Sequence, residues 1–204
     1  MNTFIEVPTN AKSIGGSKLV LGAGANDADY RVNSWINGKK VRCPFYIRWK
    51  NMLMRCYSAK FQKKCPSYIG CTVSLEWLTF SKFRSWMEQQ DWQGNELDKD
   101  LLVQGNKFYG PTTCLFLPHS INSLINDNKA NRGLWPVGVN FHKQSGDFQA
   151  SCKINGKLKY IGLYSTPEEA SAAYKAFKYK VIAEAALTQP EPIRSALLAY
   201  IILD

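Results

Sequence analysis

The stretch 96–122, ELDKDLLVQGNKFYGPTTCLFLPHSIN, gathers the residues of this chain best suited to chemistry. An extended segment ending in Leu97-Asp98-Lys99-Asp100 leads through a Gly/Pro-rich loop to a second strand, 114–117, and then to a helix that Pro118 can open. Two strands and a helix in this order can pinch one hard cation between an acid on the first strand and a group on the helix. Magnesium takes few protein oxygens and keeps several waters, so Asp98 with one amide oxygen such as that of Asn122 would suffice as its site. One such ion, Mg2+ or Mn2+, would polarise a phosphodiester oxygen and stabilise the leaving oxygen. Asp100 is a further candidate acid beside it.

The surroundings suit a polyanionic substrate. The 204 residues carry 26 Lys and Arg against 16 Asp and Glu, a formal net charge of +10, which favours nucleic acid or an acidic membrane surface over an acidic protein. Between Arg31 and Leu75 there are ten basic residues and no Asp or Glu, with aromatic residues interleaved at 45, 46 and 49. That mixture fits a phosphate-contacting surface, with Arg42, Arg48, Lys50 and Arg55 as the candidate contacts. From Glu76 to Asp100 the balance reverses, so acids follow the basic platform. The apolar share of 45% excludes a disordered chain, and no apolar run approaches the ~20 residues that cross a bilayer. The first residues, MNTFIEVPTNAK, lack a charged start followed by an apolar core, so the chain is expected in the cytoplasm. Six cysteines without a Cys-x-x-Cys pair are expected to be reduced and structural.

Punctuation and period give the elements that must hold these residues. Asn37-Gly38 joins alternating segments 30–36 and 39–43 as a tight hairpin. Pro44 then opens a helix whose apolar stripe is Phe45, Trp49, Met52, Leu53 and Cys56, leaving Arg48, Asn51 and Arg55 on another face. A second helix covers 79–90, with Phe80, Phe83 and Met87 inward. Gly22-Ala23-Gly24-Ala25 imitates a dinucleotide-binding turn, but no third glycine or amphipathic helix follows, and a loop is expected. The polar, turn-rich segment 126–136 makes a domain boundary. Beyond it, 137–142, 148–154 and 157–163 alternate as strands, with a second hairpin at Asn155-Gly156. Thr166 and Glu169 form a capping box around Pro167, and Ala170, Ala173, Tyr174, Phe177 and Val181 line the following helix. The last apolar segment (Ile193, Leu197, Tyr200, Ile201) is expected to dock as a helix on a neighbouring element or on a second protomer, giving a possible homodimer.

The segments YIRWKNMLMRCYSAKF (46–61) and SLEWLTFSKFRSW (74–86), followed by Leu97-Asp98-Lys99-Asp100, Gly105-Asn106-Lys107-x-Tyr109-x-Pro111 and Cys114, resemble the HNH endonucleases of the mobile, phage-encoded type across residues 30–125. The resemblance implies a ββα-metal fold. Asp98 then holds the metal, Lys99 occupies the position of the usual histidine base, Thr113 replaces the asparagine opening the second strand, and Asn122 completes the metal site. An unperturbed lysine is a poor base near neutrality, and His119, one helical turn before Asn122, is the substitute. A phage origin would put the protein in the host cytoplasm.

Residues 135–186 resemble the plant ethylene-response-factor (APETALA-type) DNA-binding domain. The resemblance is carried by Gly138-Val139, Gly146-x-Phe148-x-Ala150, Ile161-Gly162-x-Tyr164-x-Thr166 and Glu168-Glu169-Ala170 through Tyr174. It implies a three-stranded sheet laid in the major groove. By alternation Val137, Val139, Phe141, Phe148, Ala150, Cys152 and Ile154 face the helix, leaving Asn140, His142, Gln149, Ser151, Lys153 and Tyr160 outward. Asn and Gln can pair with adenine, and Lys with guanine or phosphate. That family's arginines are largely missing here, so the resemblance does not carry over its GC-rich preference.

The expected class is therefore α+β: an extension at 1–29, a nuclease domain at 30–126, a linker at 127–135, a DNA-binding domain at 136–187 and a C-terminal helix at 188–204. The expected function is metal-dependent cleavage of double-stranded DNA, nicking and of homing type. The alternative is a DNA-binding regulator or host-takeover protein that keeps the fold without the chemistry.

Overall fold

Short strands and amphipathic helices alternate along the chain. A computed structural model describes residues 4–9, 18–36, 38–126 and 134–202 and gives a mixed α+β architecture. It resolves into two compact units, one of residues 1–93 with 105–116 and one of residues 94–104 with 117–204. The division thus runs through the 94–117 stretch, whereas the sequence suggested the polar linker, most of which (127–133) lies outside the described residues.

In the first unit, β1 (Asn33–Ile36) pairs antiparallel with β2 (Lys39–Arg42) in the expected hairpin; Asn37 itself is outside the described residues. Helix α1 (Pro44–Tyr57) starts on Pro44 and buries Trp49, Met52, Leu53 and Cys56, four of the five residues of its sequence stripe. Ser58 ends it and starts α2 (Ala59–Lys64), its hydroxyl accepting the Phe61 N–H at 3.3 Å. β3 (Thr72–Val73) runs parallel to a strand at Phe108–Tyr109, and α3 (Phe80–Glu88) buries Phe80, Phe83 and Met87 as the period requires. Ring contacts tie these together, among them Trp49 to Phe80 at 5.4 Å and Trp77 to Trp86 at 4.4 Å. The indole N–H of Trp49 donates to the Trp77 carbonyl at 2.7 Å, so this buried polar group is satisfied. Gly24 sits against the same core. A Cβ there would come within 2.4 Å of Leu53 and 2.6 Å of Trp49, so the glycine of the false dinucleotide motif is there for close packing.

The second unit begins with β4 (Glu96–Asp98). With β5 the Phe108–Tyr109 strand, β6 (Leu115–Leu117) follows, its last residue entering this unit; β4 and β6 form a two-stranded sheet that leads into α4 (His119–Ile125). Then β7 (Val139–His142), β8 (Asp147–Ile154) and β9 (Lys157–Tyr164) make an antiparallel meander in that order. The capping box of Thr166 and Glu169 starts α5 (Pro167–Ala186) as expected. The core under the sheet is Val139, Ala150, Cys152, Ala170, Tyr174 and Ile202. The buried line on α5 continues through Lys178, Ile182 and Ala186, whereas the sequence stripe favoured Phe177 and Val181. The reason is that α5 packs on two sides, on the sheet and on α6 (Ile193–Leu198).

Helix α6 buries Ile193 and Leu197 within its own chain, the first of the two dockings that the sequence allowed, on a neighbouring element or on a second protomer. The residues after it act as a stitch. The Gln104 side chain exchanges two hydrogen bonds with the Ile201 backbone (2.8 and 3.0 Å), the Tyr200 hydroxyl donates to the Ile125 carbonyl at 2.7 Å, and the Ile202 N–H donates to the Tyr179 hydroxyl at 3.1 Å. None of the six cysteines is in a disulfide. No helix among the described residues is long and apolar enough to cross a membrane.

Candidate catalytic cluster and nucleic-acid face

Helix α4 turns Ile121, Leu124 and Ile125 inward, which leaves His119 and Asn122, three residues apart, on a common outer face. On β4 the side chain of Leu97 is buried, so by alternation Glu96 points to the opposite side. There the Glu96 carboxylate meets both helix residues. His119 Nδ1 lies 2.9 Å from Oε1, and the Asn122 side-chain N–H donates to Oε2. With Nδ1 against the carboxylate, the other ring nitrogen, Nε2, is turned away from Glu96. The His119 side chain is largely exposed, so that nitrogen can reach solvent or substrate.

The carboxylate bonded to Asn122 is therefore that of Glu96, where the sequence reading had set Asp98. Asp98 instead closes its own turn, Oδ1 accepting the N–H of Asp100 at 2.9 Å and of Leu101 at 2.7 Å. Burial pushes its carboxyl above the usual range, opposed by the Leu101 N–H. Lys99, at 5% exposure, is buried, and its ammonium bonds Asp100 at 2.6 Å, so both are committed to an ion pair at the same turn. Thr113 lies in the first unit and its hydroxyl donates to the Phe108 carbonyl at 3.0 Å. Sequence reasoning missed Glu96 because it weighed the acids at the end of the strand, Asp98 and Asp100, and not the one at its start. The signal was there in the two-residue spacing from Asp98, which puts both acids on one side of a strand.

Among the described residues no group of three or more His, Cys, Asp or Glu side chains is gathered as a metal site. The cluster still fits a lightly held hard cation. The Glu96 carboxylate is its anionic oxygen group, and magnesium, which keeps most of its waters, can be held by so short a list; Asn122 turns its side-chain N–H, not its oxygen, to that carboxylate.

Beside the cluster, His119, Ser120 and Ser123 of α4 and Lys153, Asn155 and Gly156 of the β8–β9 hairpin enclose a cleft of about 420 Å³. The hairpin turn has Asn155 and Gly156 at positive φ, as an Asn-Gly two-residue turn requires. The cleft is lined by hydroxyls, an amide, an imidazole and one ammonium group, without a carboxylate among its lining residues.

The sheet register sorts the expected reading residues. Val139 pairs with Ala150 and Phe141 with Phe148 on the helix side, so Asn140, opposite Gln149, and His142 lie on the outer side. A bulge between Ala150 and Ser151 keeps Ser151 opposite Tyr160 and Lys153 opposite Leu158 on that same side. Asn140, Lys153 and Tyr160 are exposed and His142 and Gln149 half-buried, but Ser151 is only 5% exposed, so its hydroxyl is covered. In the first unit Arg42 and Lys50 are exposed, while Arg48 and Arg55 are half-buried. Arg55 lies over the Tyr68 ring at 5.5 Å and donates to the Tyr109 hydroxyl at 3.5 Å, so packing shares its guanidinium.

No family model, no curated protein and no solved structure matches this chain.

Proposed function

We propose that the protein binds double-stranded DNA through the outer face of β7–β9 and hydrolyses a phosphodiester at the neighbouring Glu96–His119–Asn122 cluster. One observation carries the reading: Lys153, a member of the sheet's outer face, lines the same cleft as His119. Duplex lying on the sheet would bring a phosphate to that cleft, where the Lys153 ammonium and the hydroxyls of Ser120 and Ser123 can hold its oxygens. His119, oriented by Glu96, accepts the proton of the attacking water through Nε2 as the phosphorus–oxygen bond to one sugar breaks. Mg2+ or Mn2+ held by the Glu96 carboxylate and waters would supply the charge that stabilises the departing oxygen.

A second reading, a DNA-binding regulator without hydrolytic activity, draws support from the commitment of Asp98, Lys99 and Asp100 to their turn. Incubation of supercoiled DNA with the protein and Mg2+ or Mn2+, with and without chelator, separates the two. Relaxation that chelator blocks supports hydrolysis, and Glu96→Gln then lowers it by about 100-fold or more, in keeping with the loss of a general base's orienting partner, while affinity for DNA is kept. Tight, salt-sensitive binding without scission supports the regulator.

A further inference from the structure

The cross-strand rows on the outer face of the sheet carry a chemical bias beyond the general reading. One row is Asn140, Gln149 and Leu163 directly opposite one another, and the next two are Ser151 with Tyr160 and Lys153 with Leu158. On β9 this leaves Leu158 at 69%, Tyr160 at 58% and Leu163 at 40% exposure, with Leu163 in the row of the two amides. Arginine is absent from all of 137–164, so the side chain that most often pairs with guanine is missing. The same stretch has four lysines against a single acid, Asp147, which matches a polyanion better than a protein surface.

We infer that this face selects A·T-rich duplex, with Asn140 and Gln149 paired to adenine edges and Leu158 and Leu163 packed on thymine C5-methyl groups. In the major groove the methyl is the apolar feature that sets thymine apart, and an amide can bond both the N6 and N7 positions of adenine. Successive outer residues of β8 are about 7 Å apart, which spans about two base-pair steps of 3.4 Å, so three rows cover a core of roughly four to six pairs. The inference rests on the proposed DNA binding and adds the base composition that the sheet prefers.

The test is selection of bound sites from a randomised duplex library by the full chain, followed by affinity measurements on the selected duplex with every thymine replaced by uracil. That replacement removes only the methyl and keeps the pairing. The expected outcome is an A·T-rich core, with affinity falling about tenfold on uracil substitution. In Leu158→Ala/Leu163→Ala the thymine-to-uracil difference shrinks to less than about twofold, with an unchanged melting temperature because both side chains are exposed. A G·C-rich core, or equal affinity for thymine and uracil duplexes, overturns the inference and leaves DNA binding standing. Failure to bind any duplex at 50 mM salt removes both. If the double variant instead alters self-association of the free chain and leaves its thymine preference intact, the leucines form a protein contact and the inference is wrong.

Discussion

Glu96 shows what a single residue owes to its context. Its type and place were visible, but an acid at a strand start has no identifiable partner until the strand and the helix are brought together. The opposite holds for Gly138, whose φ of +77° and crowding by Tyr174 give one position two independent reasons to be glycine. A Cβ there would lie 2.1 Å from the Tyr174 ring. Gly138→Ala therefore has to displace a core ring and hold an unfavourable backbone, which together cost about 2–4 kcal/mol and are read as a lower urea midpoint. A loss below about 0.5 kcal/mol, the range of an ordinary surface change, would mean that Tyr174 is not held as described. Lys153 carries a residue-scale expectation on binding. Lys153→Ala lowers affinity for all duplexes alike and reduces the slope of log affinity against log salt by about one, as for the loss of one phosphate contact.

At the scale of elements, local rules fared well where an element's own residues decide it. The capping box of α5 was readable from Thr166 and Glu169, and both of its hydrogen bonds are present, at 3.2 Å each. Thr166→Ala should cost about 1 kcal/mol, a drop in melting temperature of about 2–4 °C for a chain of this size. The buried line of α5 was read less well, since Lys178 lies inside it. An apolar-stripe argument cannot anticipate a buried lysine whose ammonium sits 6.0 Å from the Tyr174 ring. Strand β5 provides a pH test. Burial raises the Tyr109 phenol well above its ordinary value, with the Arg55 charge opposing. A raised folded-state value means that the folded chain holds this proton where the unfolded chain has lost it. The stability so contributed is complete below about pH 10 and declines by about 1.4 kcal/mol per pH unit above it, up to the folded-state value. Urea midpoints at pH 9 and pH 11 should therefore fall less in Tyr109→Phe than in the parent.

At the scale of the molecule, the two compact units interleave along the chain, because 94–104 leaves the first unit and 105–116 returns to it. The stitch made by Gln104, Tyr200 and Ile202 joins the region of the candidate cluster to the three-stranded sheet within one unit. It follows that removal of 199–204 should loosen α4 relative to α5, seen as faster amide exchange in 119–125 with β7–β9 little changed. Unchanged exchange in α4 would show that the stitch adds nothing.

The sequence by itself determined where most of the elements lie. Tight Asn-Gly hairpins, proline-started helices, a capping box and alternating strands are decided by neighbours a few residues apart, so they are written in short windows. It also determined the charge, a net +10. Only the tertiary structure decided which acid meets Asn122, that Ser151 is covered, that the C-terminal helix is used within the chain, and that His119 and Lys153 share a cleft. Each depends on residues tens of positions apart, where a shift of a few ångströms in packing exchanges one partner for another and no local pattern records the choice.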